Sequence, residues 1–114
     1  MTTELAILRV RDLGGVFAAR RLGRELAAGL GLERQDQVRV ATALSEISRA
    51  VVTEGRNAVI AFATNETHLV LTVTADGPVP ADGVTAAARL MDAVTSDSQV
   101  IRMSKRRPPH VQPE

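Results

Sequence analysis

A chain of 114 residues holds one compact domain with a real core and is too short for two ordinary ones. With 45% hydrophobic residues, 24% charged residues and a net charge of +1, it is globular in composition, and no strong overall field steers nucleic acid or membrane toward it. It has no cysteine, which excludes disulfides, thiolate nucleophiles and thiolate metal sites.

In chain order, "ELAILRV" at 4–10 alternates loosely and predicts a strand. Asp12 is placed to cap a first helix, in which Val16, Ala19, Gly23, Leu26 and Leu30 recur at helical spacing while Arg20, Arg21 and Arg24 face away. That helix is expected to end near Gly29 and Gly31. A second helix is expected over 33–53, with Val40, Leu44, Ile47 and Val51 within a narrow arc. Gly55 closes it.

"NAVIAFAT" at 57–64 reads as a central strand buried on both faces, and "TNET" at 64–67 as a tight connection. "HLVLTVTA" at 68–75 alternates and pairs with it as a hairpin. Proline and glycine punctuate 76–83, which predicts neither helix nor central strand. Helical spacing returns over 84–94 through Val84, Ala87, Met91 and Val94, and "QVIRMSK" at 99–105 suits a last strand. Residues 1–105 are thus expected to form the domain. The basic, proline-rich stretch 106–114 is expected to be a tail or a linker into a further domain.

The order β-α-α-β-β-α-β describes a two-layer α/β sandwich: a mixed sheet covered on one face by helices. The longest apolar run, 58–63, is far shorter than the about 20 residues that cross a bilayer. The amino-terminal stretch has Glu4 where a secretory signal carries basic charge, so a cytoplasmic address is expected. His68 and His110 are the only histidines, so a zinc site or a histidine-based triad has little to build on, and no metal site is expected. With no Tyr or Trp, and with Phe17 and Phe62 both expected in the core, base stacking has no platform and no nucleic-acid partner is expected.

"DQVRVATALSEISRAVVTEGRNAVIAFA" resembles the Asn-box helix and following strand of the GHKL-type ATPases, whose Bergerat fold also occurs in histidine kinases. "ARLMDAV", after a Gly-Pro turn, is similar to the closing helix of the anti-sigma-factor serine-kinase branch. The resemblance extends over about 4–104. It implies a catalytic role for Glu46, matching the acidic residue that polarises the attacking water, and a nucleotide-binding set of Glu46, Arg49, Asp76, Gly77 and Gly83.

The chain departs from that family at each motif. The magnesium-coordinating asparagine falls at Ala50, and a methyl group cannot ligate a hard cation that demands oxygen. The adenine-binding aspartate falls at Ala75, with Asp76 beside it as a substitute. The glycine-rich lid that cradles phosphates is reduced to Gly83. The lid is therefore short, and binding of ATP or ADP with magnesium is expected to be weakened or lost. No cofactor is expected.

Each feature also has a plainer reading. Glu46 lies with Thr42, Arg49 and Thr53 on a polar stripe of the kind that usually faces solvent. Asp76-Gly77-Pro78 is an ordinary turn sequence. Arg20, Arg21 and Arg24 are either solvated or a surface for an acidic partner.

Three functions follow. One is a degenerate GHKL-like domain acting as a regulatory protein-interaction module, the reading that the lost motifs favour. The second is an ATP-binding anti-sigma-factor serine/threonine kinase, and the third a structural dimerisation domain. The resemblance implies bacterial partner switching, in which such domains bind sigma factors or anti-anti-sigma factors, or are fused to a phosphatase of the PPM type. A homodimer is also compatible with it, and no membrane partner is expected.

Overall fold

A computed structural model describes residues 1–109, and the part of the expected tail at 110–114, including His110 and Pro113, lies outside the described residues. The element order is β1 (Thr3–Val10), α1 (Leu13–Gly29), α2 (Arg34–Thr53), β2 (Ala58–Thr64), β3 (His68–Ala75), α3 (Ala81–Ala88), β4 (Ala93–Asp97) and β5 (Val100–Arg106). The five strands form one sheet in the order β1-β2-β3-β5-β4. The helices cover one face, so the two-layer α/β sandwich is the architecture of the chain.

Local chemistry sets the helix limits. The Asp12 carboxylate accepts a hydrogen bond from the Gly15 amide at 3.0 Å, satisfying one of the orphan donors at the start of α1. Gly31 and Gly55, at φ of 85° and 72°, adopt the left-handed conformation that lets the chain leave α1 and α2. On α2, Val40, Leu44, Ile47 and Val51 are wholly buried, as the periodicity predicts. Burying each side chain of this kind contributes about 1.5–3 kcal/mol. Gly23 of α1 lies directly on Leu44, where a Cβ would overlap its Cδ1, so glycine here sets how closely α1 approaches α2.

The sheet is wholly antiparallel, a correction to the expected mixed sheet. The reason is connectivity. The α1–α2 hairpin crosses the sheet's length twice and returns the chain to the end where β1 stopped, so β2 runs back along β1. β2 and β3 form the expected hairpin, closed by Asn65, whose Oδ1 accepts from the amides of Thr67 and His68 at 2.9 and 2.8 Å.

β2 is central, but only one of its faces is sealed. Ala58, Ile60 and Phe62 are buried against the helices, while Val59 is 37% exposed on the far face. Phe17 is likewise not a core residue and is 59% exposed. It sits one residue, about 100° of helix rotation, from buried Val16, so the spacing of Val16, Ala19, Gly23 and Ala27 overrides its hydrophobicity.

The largest departures follow residue 76. The third helix begins at Ala81, with Pro80 at its N-cap, and stops at Ala88. Ala93 and Val94 belong to strand β4, so the stretch similar to the family's closing helix is a turn and a strand. The Asp92 amide donates to the Ser104 carbonyl at 3.0 Å, and the Asp92 carboxylate accepts from the Arg106 amide at 2.6 Å. Pairing with β5 thus satisfies the backbone that a longer α3 would have satisfied internally.

The domain also extends beyond residue 105. Arg106 ends β5, and Arg107 donates through Nη1 to Thr64 Oγ1 at 3.0 Å and through its amide to the Thr67 carbonyl at 2.9 Å. Among the described residues, no helix is long and apolar enough to cross a membrane.

Candidate functional site

α2 lies between α1 and α3 and carries charge at both of its ends. Where its C-terminal half meets the start of α3 there is a cleft of about 260 Å³. Glu46, Arg49, Ala50, Thr53 and Glu54 line it from α2 and the residue beyond, and Pro80, Asp82 and Gly83 from α3 and its cap. The structure therefore brings together three of the sequence-predicted residues, Glu46, Arg49 and Gly83, with Ala50 between them.

The contact between the two helices is close. A Cβ on Gly83 would stand 2.9 Å from the Ala50 Cβ, 3.5 Å from the Glu46 carbonyl oxygen and 3.8 Å from the Ile47 Cα. The Gly83 backbone therefore rests on the Ala50 methyl. Its amide points into its own turn, donating to the Pro80 carbonyl at 3.2 Å and to Asp82 Oδ1 at 2.9 Å. A backbone donor already engaged in this way is not free to cradle a phosphate.

Glu46, Arg49, Glu54 and Asp82 are exposed, and none of them makes an ion pair among the described residues. Three carboxylates against one guanidinium give the lining a formal charge of −2, a field that disfavours a polyphosphate. Among the described residues no three His, Asp or Glu side chains group to hold a metal ion.

Asp76 and Gly77 lie elsewhere. Asp76 Oδ1 accepts from the Asn57 amide at 3.1 Å while the Asp76 amide donates to the Asn57 carbonyl at 3.0 Å, which ties the end of β3 to the start of β2. Asp76 lines a separate hollow of about 300 Å³ with Arg9, Arg11 and Asn57. Gly77 is buried, and the Arg56 guanidinium lies where its side chain would stand. Arg20, Arg21 and Arg24 are exposed on α1, along with the large apolar side chains of Leu13 and Phe17. The apolar pair is the part of this surface that sequence reasoning missed, since hydrophobicity alone places Phe17 in the core. The helical spacing of 13, 17, 20 and 24 was the available signal.

At the other end of α2, sequence reasoning missed a charge cluster. Lys105, whose side chain is 8% exposed, donates to Asp92 Oδ1 at 3.1 Å and to the Leu90 carbonyl at 3.2 Å, and lies 3.4 Å from Asp36 Oδ1. Asp36 in turn pairs with Arg39 at 3.0 Å. Burial pushes the Asp92 carboxyl upward, but the Arg106 amide, the Lys105 ammonium and the charge of His68 outweigh it and hold its pKa below the ordinary 3.8. No local signal announces this cluster, because Asp36, Asp92 and Lys105 lie far apart in the chain and meet only on folding.

A comparison with models of known protein families finds no match to this chain, and a comparison with curated proteins finds none either.

Proposed function

We propose that this is a GHKL-like ATPase domain whose nucleotide chemistry has been lost and which acts as a regulatory protein-interaction module. The observation that carries the loss is the seating of Gly83 on Ala50. The remnant of the phosphate-binding lid packs against a methyl group where the family places its magnesium ligand. A cleft of about 260 Å³ with a net negative lining is also small for a nucleotide site, since ligand pockets measure about 300–1,000 Å³. Asp76, the substitute adenine acceptor, is tied to Asn57 and lines a different hollow.

The ancestry itself rests on "ALSEISRAVV", which carries much of the buried stripe of α2 and leads through Gly55 into β2, within a two-layer α/β sandwich. The "ARLMDAV" stretch lends it nothing, because it is not helical beyond Ala88. In this reading the domain works in the cytoplasm, in anti-sigma partner switching. Its partner is a sigma factor, an anti-anti-sigma factor or a fused phosphatase domain. Arg20, Arg21 and Arg24, flanked by exposed Leu13 and Phe17, supply a basic and apolar surface that suits an acidic partner with an apolar anchor.

Isothermal titration calorimetry with ATP and with ADP, each with and without magnesium, tests the loss of nucleotide binding. No saturable heat at millimolar nucleotide, from protein shown folded by circular dichroism, is the expected result. Binding that strengthens with magnesium would overturn it in favour of a serine/threonine kinase with Glu46 as its catalytic carboxylate.

A further inference from the structure

The helices cover only one face of the sheet, and the opposite face carries its own charge pattern. Register places Arg9 beside Val59, Val59 beside Thr74, Thr74 beside Val100, and Val100 beside Asp97. This row crosses all five strands on the open face. It begins with a cation on edge strand β1, passes over two exposed valines and a threonine, and ends with an anion on edge strand β4. The next row runs Ile7, Ala61, Thr72, Arg102 and Thr95, with Ile7 60% exposed.

Arg9 and Asp97 are four strand spacings apart, about 19 Å, and cannot pair within one chain. Neither makes an ion pair among the described residues. We infer that the open face is a self-complementary dimer interface whose occupant is a second copy of this chain, related by a two-fold axis lying along β3.

The argument is one of symmetry. In a face-to-face pair the two-fold axis lies in the interface. An axis parallel to the strands through β3 reverses strand order but keeps the rows level. It sets β1 of each copy over β4 of the other, so Arg9 meets Asp97 of the second copy at both edges, and Val59 meets Val100 between them. Arg102 then lies over Ala61 of the second copy, where a methyl leaves room for its long side chain. The alternative axis, across the strands through the middle row, stacks Arg102 on its own copy. Like charge excludes that arrangement.

Size is compatible. Five strands at about 4.8 Å spacing and some seven residues in length make a face of about 500 Å² in projection. Two copies together then bury about 1,000 Å², the lower bound for a specific interface. Sheets packed in this way stand about 10 Å apart with strands within about 30° of each other.

Sedimentation equilibrium of the full chain tests the inference. A dimer at micromolar protein is expected, with Val59→Glu converting it to monomer while its circular dichroism is unchanged. Arg9→Asp alone and Asp97→Arg alone should each weaken self-association at least about tenfold, because each places like charges opposite each other. Mixing the two single variants should restore dimers, since every edge pair in the mixed species is again opposite in sign. A chain that stays monomeric at about 100 μM, far above the concentrations at which standard interfaces saturate, would overturn the inference. So would a dimer indifferent to Val59→Glu, or variants that fail to rescue one another. Nucleotide binding enters none of these readouts, so the inference stands or falls apart from the proposed function.

Discussion

The two ends of α2 carry charge in opposite ways. At its N-terminal end, Asp36 joins Lys105 and Asp92, and the buried ammonium is satisfied by two carboxylates and a carbonyl. At its C-terminal end, Glu46, Arg49, Glu54 and Asp82 surround a cleft with no ion pair among them. Charge is locked where the sheet, a turn and a helix converge, because a buried ion left unpaired is costly. It stays free where only two helices meet at a solvent-facing groove, so substitutions there bear on binding far more than on stability.

The largest test of that contrast is the double substitution Asp36→Asn with Asp92→Asn. It strips the buried Lys105 ammonium of both carboxylates, which costs about 3–5 kcal/mol for a sealed pair. Solvent at the partly exposed aspartates lowers the expected loss to about 2–3 kcal/mol, readable by urea denaturation followed by circular dichroism. A loss below about 0.5 kcal/mol, the level of ordinary surface substitutions, would show that the two ends do not differ.

At the cleft, the close approach of Gly83 to Ala50 is the one structural constraint. Gly83→Val should cost about 1–2 kcal/mol, because overpacking of about 1–3 kcal/mol exceeds the gain from removing a helical glycine. An unchanged denaturation midpoint would mean that α3 is not seated on α2.

Acid sharpens the comparison further. Asp92 has a folded pKa below the ordinary 3.8, so its stabilising contribution is complete above that value and is lost as pH falls through the folded pKa. Stability should therefore decline below about pH 4, and the decline should be shallower in Asp92→Asn when midpoints at pH 5 and pH 3 are compared. The smallest effect is expected at Glu46. Exposed and unpaired, Glu46→Gln should leave stability within about 0.5 kcal/mol of the parent protein.

The regions legible in the sequence are those where local chemistry and burial agree. Asp12 announces the start of α1, Gly55 the end of α2, and Val40, Leu44, Ile47 and Val51 mark one buried stripe that needs no partner to be recognised. The hairpin of β2 and β3 is legible for the same reason, through alternation on either side of a short polar turn. The segment after Ala88 reads as helix because Ala87, Met91 and Val94 satisfy helical spacing, and only pairing with β5 makes β4 a strand. Phe17 shows the complementary case, in which the place on the helix outweighs hydrophobicity.

Of the candidate site, the sequence carried Glu46, Arg49 and Ala50 together, because one helix fixes their spacing. That Gly83 would close on them while Asp76 turned away to Asn57 depends on how α3 and the β3 end dock, a matter of long-range packing with no local signature. The same division holds for the whole protein. By itself the sequence determined the first two helices, the hairpin and the two-layer sandwich, since periodicity and capping act over a few residues. Only the tertiary structure decided the antiparallel sheet, the locked Lys105, the closed contact at Ala50 and the row from Arg9 to Asp97. Each of these joins residues far apart in the chain, and only folding brings their backbones into register.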